Sequence, residues 1–156
     1  RQAKQNSIMT LADPKSLNFS KDENVSVLTP NKKEASLAAN TDIKTEADLY
    51  VAGQKLMEQV RLEKLLITCG KDGMVLFETG KKPRTIASKA RQVFDVSGAG
   101  DTVISLLGLG FAVGADFAES AKLANTAAGI VVGKLGTATA SVDELKAALK
   151  QSELAL

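Results

Sequence analysis

Residues 95–102, Asp95-Val96-Ser97-Gly98-Ala99-Gly100-Asp101-Thr102, constrain this chain more than any other stretch. They follow an apolar, β-prone run and open a long helical pattern, so they read as a strand-to-helix turn. Glycine lets the backbone of such a turn come close to a ligand. The unpaired N–H groups of the helix's first turn then face that ligand, and the helix dipole favours negative charge there. Asp101 stands in the same turn, where a carboxylate can accept a proton. An anion cradle with a base beside it suits phosphoryl transfer to a hydroxyl. The same residues also read as a Gly-rich turn with a dipole-favoured Asp, and a bare G-x-G-D does not separate the two.

Strands alternate with helices along the rest of the chain. Residues 7–12 read as a buried strand ending at Asp13-Pro14, and residues 25–29 as a second strand stopped by Pro30. Residues 31–39 form a short helix. Residues 45–62 carry the clearest amphipathic pattern, with Leu49, Ala52, Leu56 and Val60 on one face and a capping-box start at Thr45 and Asp48. A strand over 64–69 runs into the turn Gly70-Lys71-Asp72-Gly73. Strands over 74–78 and 84–87 then make an antiparallel meander turned at Gly80. Residues 92–96 lead into the glycine motif. Helices follow over 99–113 and 116–132, the second capped by Asp116 with Glu119 at its third position. A Gly-containing loop over 133–140 precedes a last helix opened by another capping box, Ser141 with Glu144. The alternation predicts an α/β fold with a mostly parallel sheet covered by helices on both faces.

Composition excludes several classes of function. The chain has 156 residues, the size of one domain, and at 44% hydrophobic and 24% charged it can bury a core. A net charge of +2 argues for neither nucleic acid nor an anionic membrane as partner. With no histidine and one cysteine, ordinary zinc sites and Ser–His or Cys–His nucleophiles are excluded. Cys69 lies in an apolar strand-like run and reads as a buried structural residue. Nothing in the cysteine usage points to an oxidising compartment, so a cytoplasmic location is expected. No apolar run reaches membrane-spanning length. Residues 1–6 do not read as a signal peptide, and the chain begins as if mid-helix, so it reads as a piece of something longer.

Four further stretches each have a functional and a structural reading. Asn31 with Glu34 is a capping box, and the same two oxygen-bearing side chains suit a hard cation such as Mg²⁺. Thr68-Cys69-Gly70-Lys71-Asp72-Gly73 either turns one strand into the next or brings backbone close to a ligand. Residues 125–136, rich in small side chains, either pack a helix closely or wall a pocket, and Lys134 within them reads equally as a solvated surface charge. Asp13-Pro14-Lys15 follows a strand end, where open α/β sheets bind ligands, and Lys15 is either a phosphate contact or an exposed turn residue. Gly108-Leu109-Gly110 with Gly114 faintly resembles a dinucleotide fingerprint, but it lies inside a helical stretch and reads as packing. No G-x-x-x-x-G-K-[ST] occurs, so the chain is not a P-loop enzyme.

The string D-x-S-G-A-G-D-T resembles the signature of ribokinase-type (phosphofructokinase B) carbohydrate kinases. The order N-x-x-E, T-x-G-x-x-G, G-A-G-D, then a small-residue helix and loop, extends that resemblance over essentially the whole chain. Three segments, residues 28–34, 93–103 and 132–141, look most like the heptose-7-phosphate kinases of lipopolysaccharide-core synthesis, among them the kinase half of bifunctional ADP-heptose synthases. The resemblance implies a ribokinase-like, Rossmann-like fold in which residues 1–156 are the C-terminal, ATP-binding part of the kinase domain. N-terminal strands carrying most sugar-binding residues would then lie outside it, with apolar surface left exposed for the absent segment or a partner chain.

The resemblance further implies ATP and Mg²⁺ as cofactors and a sugar phosphate as substrate. Asp101 would be the base, and the N–H groups of Gly98, Ala99 and Gly100 the phosphate cradle. Asn31 and Glu34 would order the magnesium shell. Thr68, Gly70, Gly73, Asn125, Ala128 and Gly136 would hold the nucleotide. Asp95 and the Ser97 carbonyl, with the loop over 133–141, match the region where many relatives hold a monovalent cation such as K⁺. A homo-oligomer is expected for the full-length protein, with neither nucleic acid nor membrane as partner. Two alternatives stay open: a kinase of the same family acting on another sugar or a nucleoside, and a nucleotide-binding or assembly module that kept the fold without the chemistry.

Overall fold

The computed structural model describes residues 2–15, 18–90 and 93–153, so the expectations for Arg1 and Gln92 lie outside the described residues. The chain divides into two compact units, Arg1–Gly70 with Met74–Thr85, and Lys71–Gly73 with Ile86–Leu156.

The first unit runs α1 (Gln2–Gln5), β1 (Leu11–Ala12), β2 (Val27–Leu28), α2 (Lys32–Ala38), α3 (Glu46–Gln59), β3 (Lys64–Thr68) and β4 (Met74–Glu78), and most of β5 (Arg84–Ile86). The five strands lie in the order β1-β2-β3-β4-β5, a mixed and mostly parallel sheet. β1 pairs β2 and β2 pairs β3 in parallel, with Leu11 beside Val27 and Val27 beside Lys64. β3 and β4 are antiparallel, with Leu65 beside Phe77. Leu65, Leu66 and Ile67 in β3 are all fully buried, as a central strand with both faces out of water requires. Leu28, Leu65, Ile67, Val75 and Phe77 share one apolar cluster with Ala35 of α2 and with Leu49, Ala52 and Leu56 of α3. The helix lies close because Gly53 faces Phe77, where a Cβ would come within 2.2 Å of the ring.

The second unit contains α4 (Ala99–Ala112), α5 (Phe117–Val131) and α6 (Val142–Glu153). α4 and α5 pack against each other, and Val103 and Leu107 of α4 and Ala121, Ala124 and Ala127 of α5 are buried. Gly110 permits that approach, since a Cβ there would sit 2.5 Å from Ser120 Oγ. The packing reading of this stretch holds at Gly110 but not at Gly108, where a Cβ would meet nothing within 4 Å, nor at Gly114, which lies past α4 in a left-handed turn (φ +84°). Phe111 and Phe117 stack with centroids 6.1 Å apart.

Capping fixes the helix starts. Asn31 with Glu34, Thr45 with Asp48, and Asp116 with Glu119 form reciprocal boxes at the starts of α2, α3 and α5. Ser141 and Glu144 do the same before α6, at 2.8 and 3.2 Å.

Three expectations need correction. The strand over 7–12 shrinks to β1, because Ser7 is left-handed (φ 56°) and the Ile8 N–H turns back to the Ala3 carbonyl. Ile8 and Met9, just ahead of it, are exposed. The described part of the run before the glycine motif, residues 93–96, is not a strand: the N–H groups of Phe94 and Asp95 both donate to the Val132 carbonyl, at 2.8 and 3.3 Å, and that carbonyl belongs to the end of α5 rather than to a neighbouring strand. Val93, Phe94 and Val96 are correspondingly exposed. Cys69 is half-buried rather than buried, since β3 ends at Thr68 and Cys69 opens the turn. No described helix is long and apolar enough to cross a membrane.

Candidate active site

In the second unit the glycine turn is built from the backbone. Gly98 caps α4 in the left-handed region (φ +79°), a conformation that costs any residue with a Cβ, and no side chain caps this end. Its carbonyl accepts from the Thr102 N–H at 3.0 Å and from the Thr102 hydroxyl at 2.9 Å. The Ala99 N–H donates to the Val96 carbonyl at 3.2 Å. The N–H groups of Gly98, Gly100 and Asp101 meet no backbone carbonyl among the described residues. A Cβ on Gly100 would meet nothing within 4 Å, so the space beside this turn is open. Asp101 is exposed, in the first turn of α4. None of the described residues forms an ion pair with it. The start of α4 therefore combines the positive end of the helix dipole, three N–H groups without a backbone acceptor among the described residues, and the exposed Asp101 carboxylate in the same turn.

The loop after α5 comes up to this turn. The Val132 carbonyl holds Phe94 and Asp95, and Thr137 Cγ2 lies 3.5 Å from where a Cβ on Gly98 would be. The Asp95 carboxylate accepts from the Ser97 N–H at 2.9 Å, and the Gly136 N–H also points at it. These donors hold its carboxyl below the usual carboxylate range, the Ser97 N–H contributing most. Gly136 is itself left-handed (φ +70°), with open space around it. Asp95, Ser97, Gly98 and Gly136 are thereby gathered in one place.

Asn125 is buried in α5, and its amide donates to the Ala87 carbonyl at 2.7 Å. Ala128 lies half-buried one turn further along the same helix. Gly73 (φ +94°) makes room for the chain itself, since a Cβ there would collide with the Ile86 carbonyl at 2.0 Å.

In the first unit the motifs sit at the carboxyl ends of parallel strands, where open α/β sheets bind ligands. Thr68 ends β3, and its N–H donates to the Pro30 carbonyl at 3.0 Å. A parallel bridge links it to Asn31. The N-x-x-E and T-x-G motifs are therefore neighbours. Asn31 Oδ1 accepts from the Glu34 N–H at 2.9 Å, and Glu34 Oε2 from the Asn31 N–H at 2.7 Å. Gly70 is left-handed (φ +59°), and a Cβ there would meet nothing within 4 Å. Lys15, at the end of β1, is exposed and pairs with Asp13 at 2.5 Å.

Sequence reasoning missed the fixing of the 133–140 loop. Lys134, read as either a pocket wall or a surface charge, donates to the Thr139 carbonyl at 2.8 Å and pairs with Glu144 at 2.7 Å. The available signal was the Ser141–Glu144 box, but a lysine ten residues upstream follows no local period.

Fold and site together define an α/β protein of ribokinase-like architecture with a phosphate-suited helix start. Residues 1–145 match the model of the pfkB family carbohydrate kinases, and the chain belongs to that family. It is 55% identical over 145 residues to the bifunctional protein HldE of Desulfatibacillum aliphaticivorans, covering 93% of this chain and 30% of that protein. Ribokinase of Arabidopsis thaliana, solved with ribose and ATP, superposes with a TM-score of 0.84 at 23% identity, covering 94% of this chain and 49% of that one. Phosphofructokinase-2 of Escherichia coli, solved with potassium, gives 0.84 at 18% identity, covering 97% and 50%. The chain thus spans about a third of the bifunctional relative and half of each solved kinase.

Proposed function

We propose that the protein containing this chain transfers the γ-phosphoryl group of ATP to a sugar hydroxyl, the anomeric hydroxyl of a heptose 7-phosphate. The observation that carries this reading is the exposed Asp101 carboxylate, with no ion-pair partner among the described residues, in a helix turn whose N–H groups at Gly98, Gly100 and Asp101 lack backbone acceptors. Asp101 takes the hydroxyl proton as the sugar oxygen bonds to phosphorus and the bond from phosphorus to the β-phosphate oxygen breaks. The N–H groups of Gly98 and Gly100, and that of Ala99 once it leaves Val96, stabilise charge on the phosphoryl oxygens. Thr68, Gly70, Gly73, Asn125, Ala128 and Gly136 are assigned to holding the nucleotide, Asn125 by keeping its helix and the segment at Ala87 together. The heptose assignment rests on the wording of residues 28–34, 93–103 and 132–141 and is supported by the identity to HldE.

The residues present fit Mg²⁺ as a hydrated ion. The capping box uses one oxygen each of Asn31 and Glu34 and leaves the second Glu34 oxygen for a metal-bound water. Mg²⁺ would neutralise charge on the ATP phosphates. Asp95 and the Ser97 carbonyl are assigned to a monovalent cation, as two oxygen-bearing groups that the Ser97 N–H to Asp95 bond at 2.9 Å keeps together beside the turn.

The test is ATP-dependent phosphorylation by the full-length protein, with D-glycero-D-manno-heptose 7-phosphate, ribose, fructose 6-phosphate and a nucleoside as acceptors. Turnover on the heptose phosphate well above the others is expected. Preference for another acceptor rejects the heptose assignment, and ATP binding without turnover on any supports a non-catalytic module.

A further inference from the structure

Lys134 is the one lysine of the loop after α5, and its side chain is about one-third exposed. Its ammonium donates to the Thr139 carbonyl at 2.8 Å and to Glu144 Oε2 at 2.9 Å, with Glu144 Oε1 at 2.7 Å. A lysine has three N–H donors, and these contacts occupy the head group. Glu144 is shared: it also accepts from the Ser141 N–H at 2.8 Å and so caps α6. The ammonium therefore closes the loop on itself and fastens it to the start of the next helix. Between these anchors lie Gly136, whose N–H points at the Asp95 carboxylate, and Thr137, against Gly98. Gly136 is left-handed, and a Cβ there would meet nothing within 4 Å.

We propose that Lys134 is a positioning residue that sets nucleotide affinity by holding the 133–140 loop in the shape that brings Thr137 against the Gly98 turn. The proposal rests on the kinase reading. Lys134 touches neither Asp101 nor the free N–H groups of the turn, so its effect falls on binding rather than on proton transfer. Coupling of this kind between neighbouring elements typically changes affinity by about tenfold.

The experiment uses the full-length protein and compares Lys134→Met, Lys134→Arg, Glu144→Gln and Lys134→Met/Glu144→Gln. KM for ATP, kcat and thermal unfolding are measured for each. Lys134→Met is expected to raise KM for ATP about tenfold while kcat changes less than about twofold. Lys134→Arg, which keeps the charge and donors, should recover most of the affinity. The double variant should raise KM for ATP no further than Lys134→Met, because both changes break the same Lys134–Glu144 contact while the Gln oxygen can still accept from the Ser141 N–H. A purely structural role would instead lower the unfolding temperature and the apparent kcat with KM unchanged, and would overturn the proposal, as would additive losses in the double variant. Active wild type with unaltered KM in Lys134→Met rejects only the role of Lys134. Wild type that neither binds nor turns over ATP rejects the kinase reading, and this proposal with it.

Discussion

Gly98 and Gly100 stand two residues apart, and an added methyl group should affect them in opposite ways. Gly98 is left-handed at φ +79°, a region that costs a residue with a Cβ about 1–2 kcal/mol. Crowding adds nothing there, because the nearest atom, Thr137 Cγ2, would be at an ordinary 3.5 Å. Gly100 is the second residue of α4, outside the positive-φ region, and a Cβ would meet nothing within 4 Å. Alanine there lowers the backbone entropy lost on folding and favours the helix by up to about 0.5–1 kcal/mol. The two variants should therefore differ in stability by about 2 kcal/mol, Gly98→Ala below wild type and Gly100→Ala at or above it. Both should bind ATP more weakly, since both put a methyl group at the N–H groups assigned to phosphate. The assay is denaturant unfolding of the full-length protein without nucleotide, paired with calorimetric ATP titration. Gly100→Ala that is stable and binds ATP like wild type would refute the cradle. Gly98→Ala with undiminished stability would refute the left-handed turn.

Two other substitutions test the packing and the loop. Gly53→Ala puts a methyl group into the Phe77 ring, and overpacking of about 1–3 kcal/mol should outweigh the helix gain of about 1 kcal/mol, seen as a lowered unfolding midpoint; an unchanged or raised midpoint contradicts the close approach of α3 to β4. Glu144 has its carboxyl pushed down to about 2, first by the Lys134 ammonium and then by the Ser141 N–H. Its folded-state value lies below its ordinary 4.5, so its contribution is fully present above pH 4.5 and fades as pH falls toward 2. The stability difference between wild type and Glu144→Gln should shrink over that window, and a difference constant with pH would contradict the pairing.

Local chemistry was the part of the fold most legible in the sequence. The four capping boxes sit where their Ser, Thr, Asn or Asp and the acidic residue three places on put them, because each box is satisfied within one turn of chain. β4 begins and ends as its pattern indicates, and Gly80 (φ +78°) follows it. Legibility failed where a partner decides. The apolar, β-prone run Val93-Phe94-Asp95-Val96 suits a strand, but a strand needs a partner strand, and the Phe94 and Asp95 N–H groups go instead to one carbonyl at the end of α5. The motif residues of the site were legible as types: Asp101, Gly98 and Gly100 lie in one helix start, and Asn31 beside Thr68. That Gly73 yields to the backbone at Ile86, and that Lys134 closes its loop on Glu144, are long-range facts no local pattern encodes.

The central claim is that Asp101 is the base of a phosphoryl transfer whose phosphate cradle is backbone. Asp101→Asn in the full-length protein keeps the size of the side chain and every backbone N–H of the turn while removing the proton acceptor. Turnover of ATP with heptose 7-phosphate, measured beside ATP affinity, should fall by about 10² to 10⁴ with affinity within a few-fold of wild type. Near-normal turnover would contradict the base, and a loss of ATP affinity as large as the loss of turnover would make Asp101 a nucleotide or metal anchor instead.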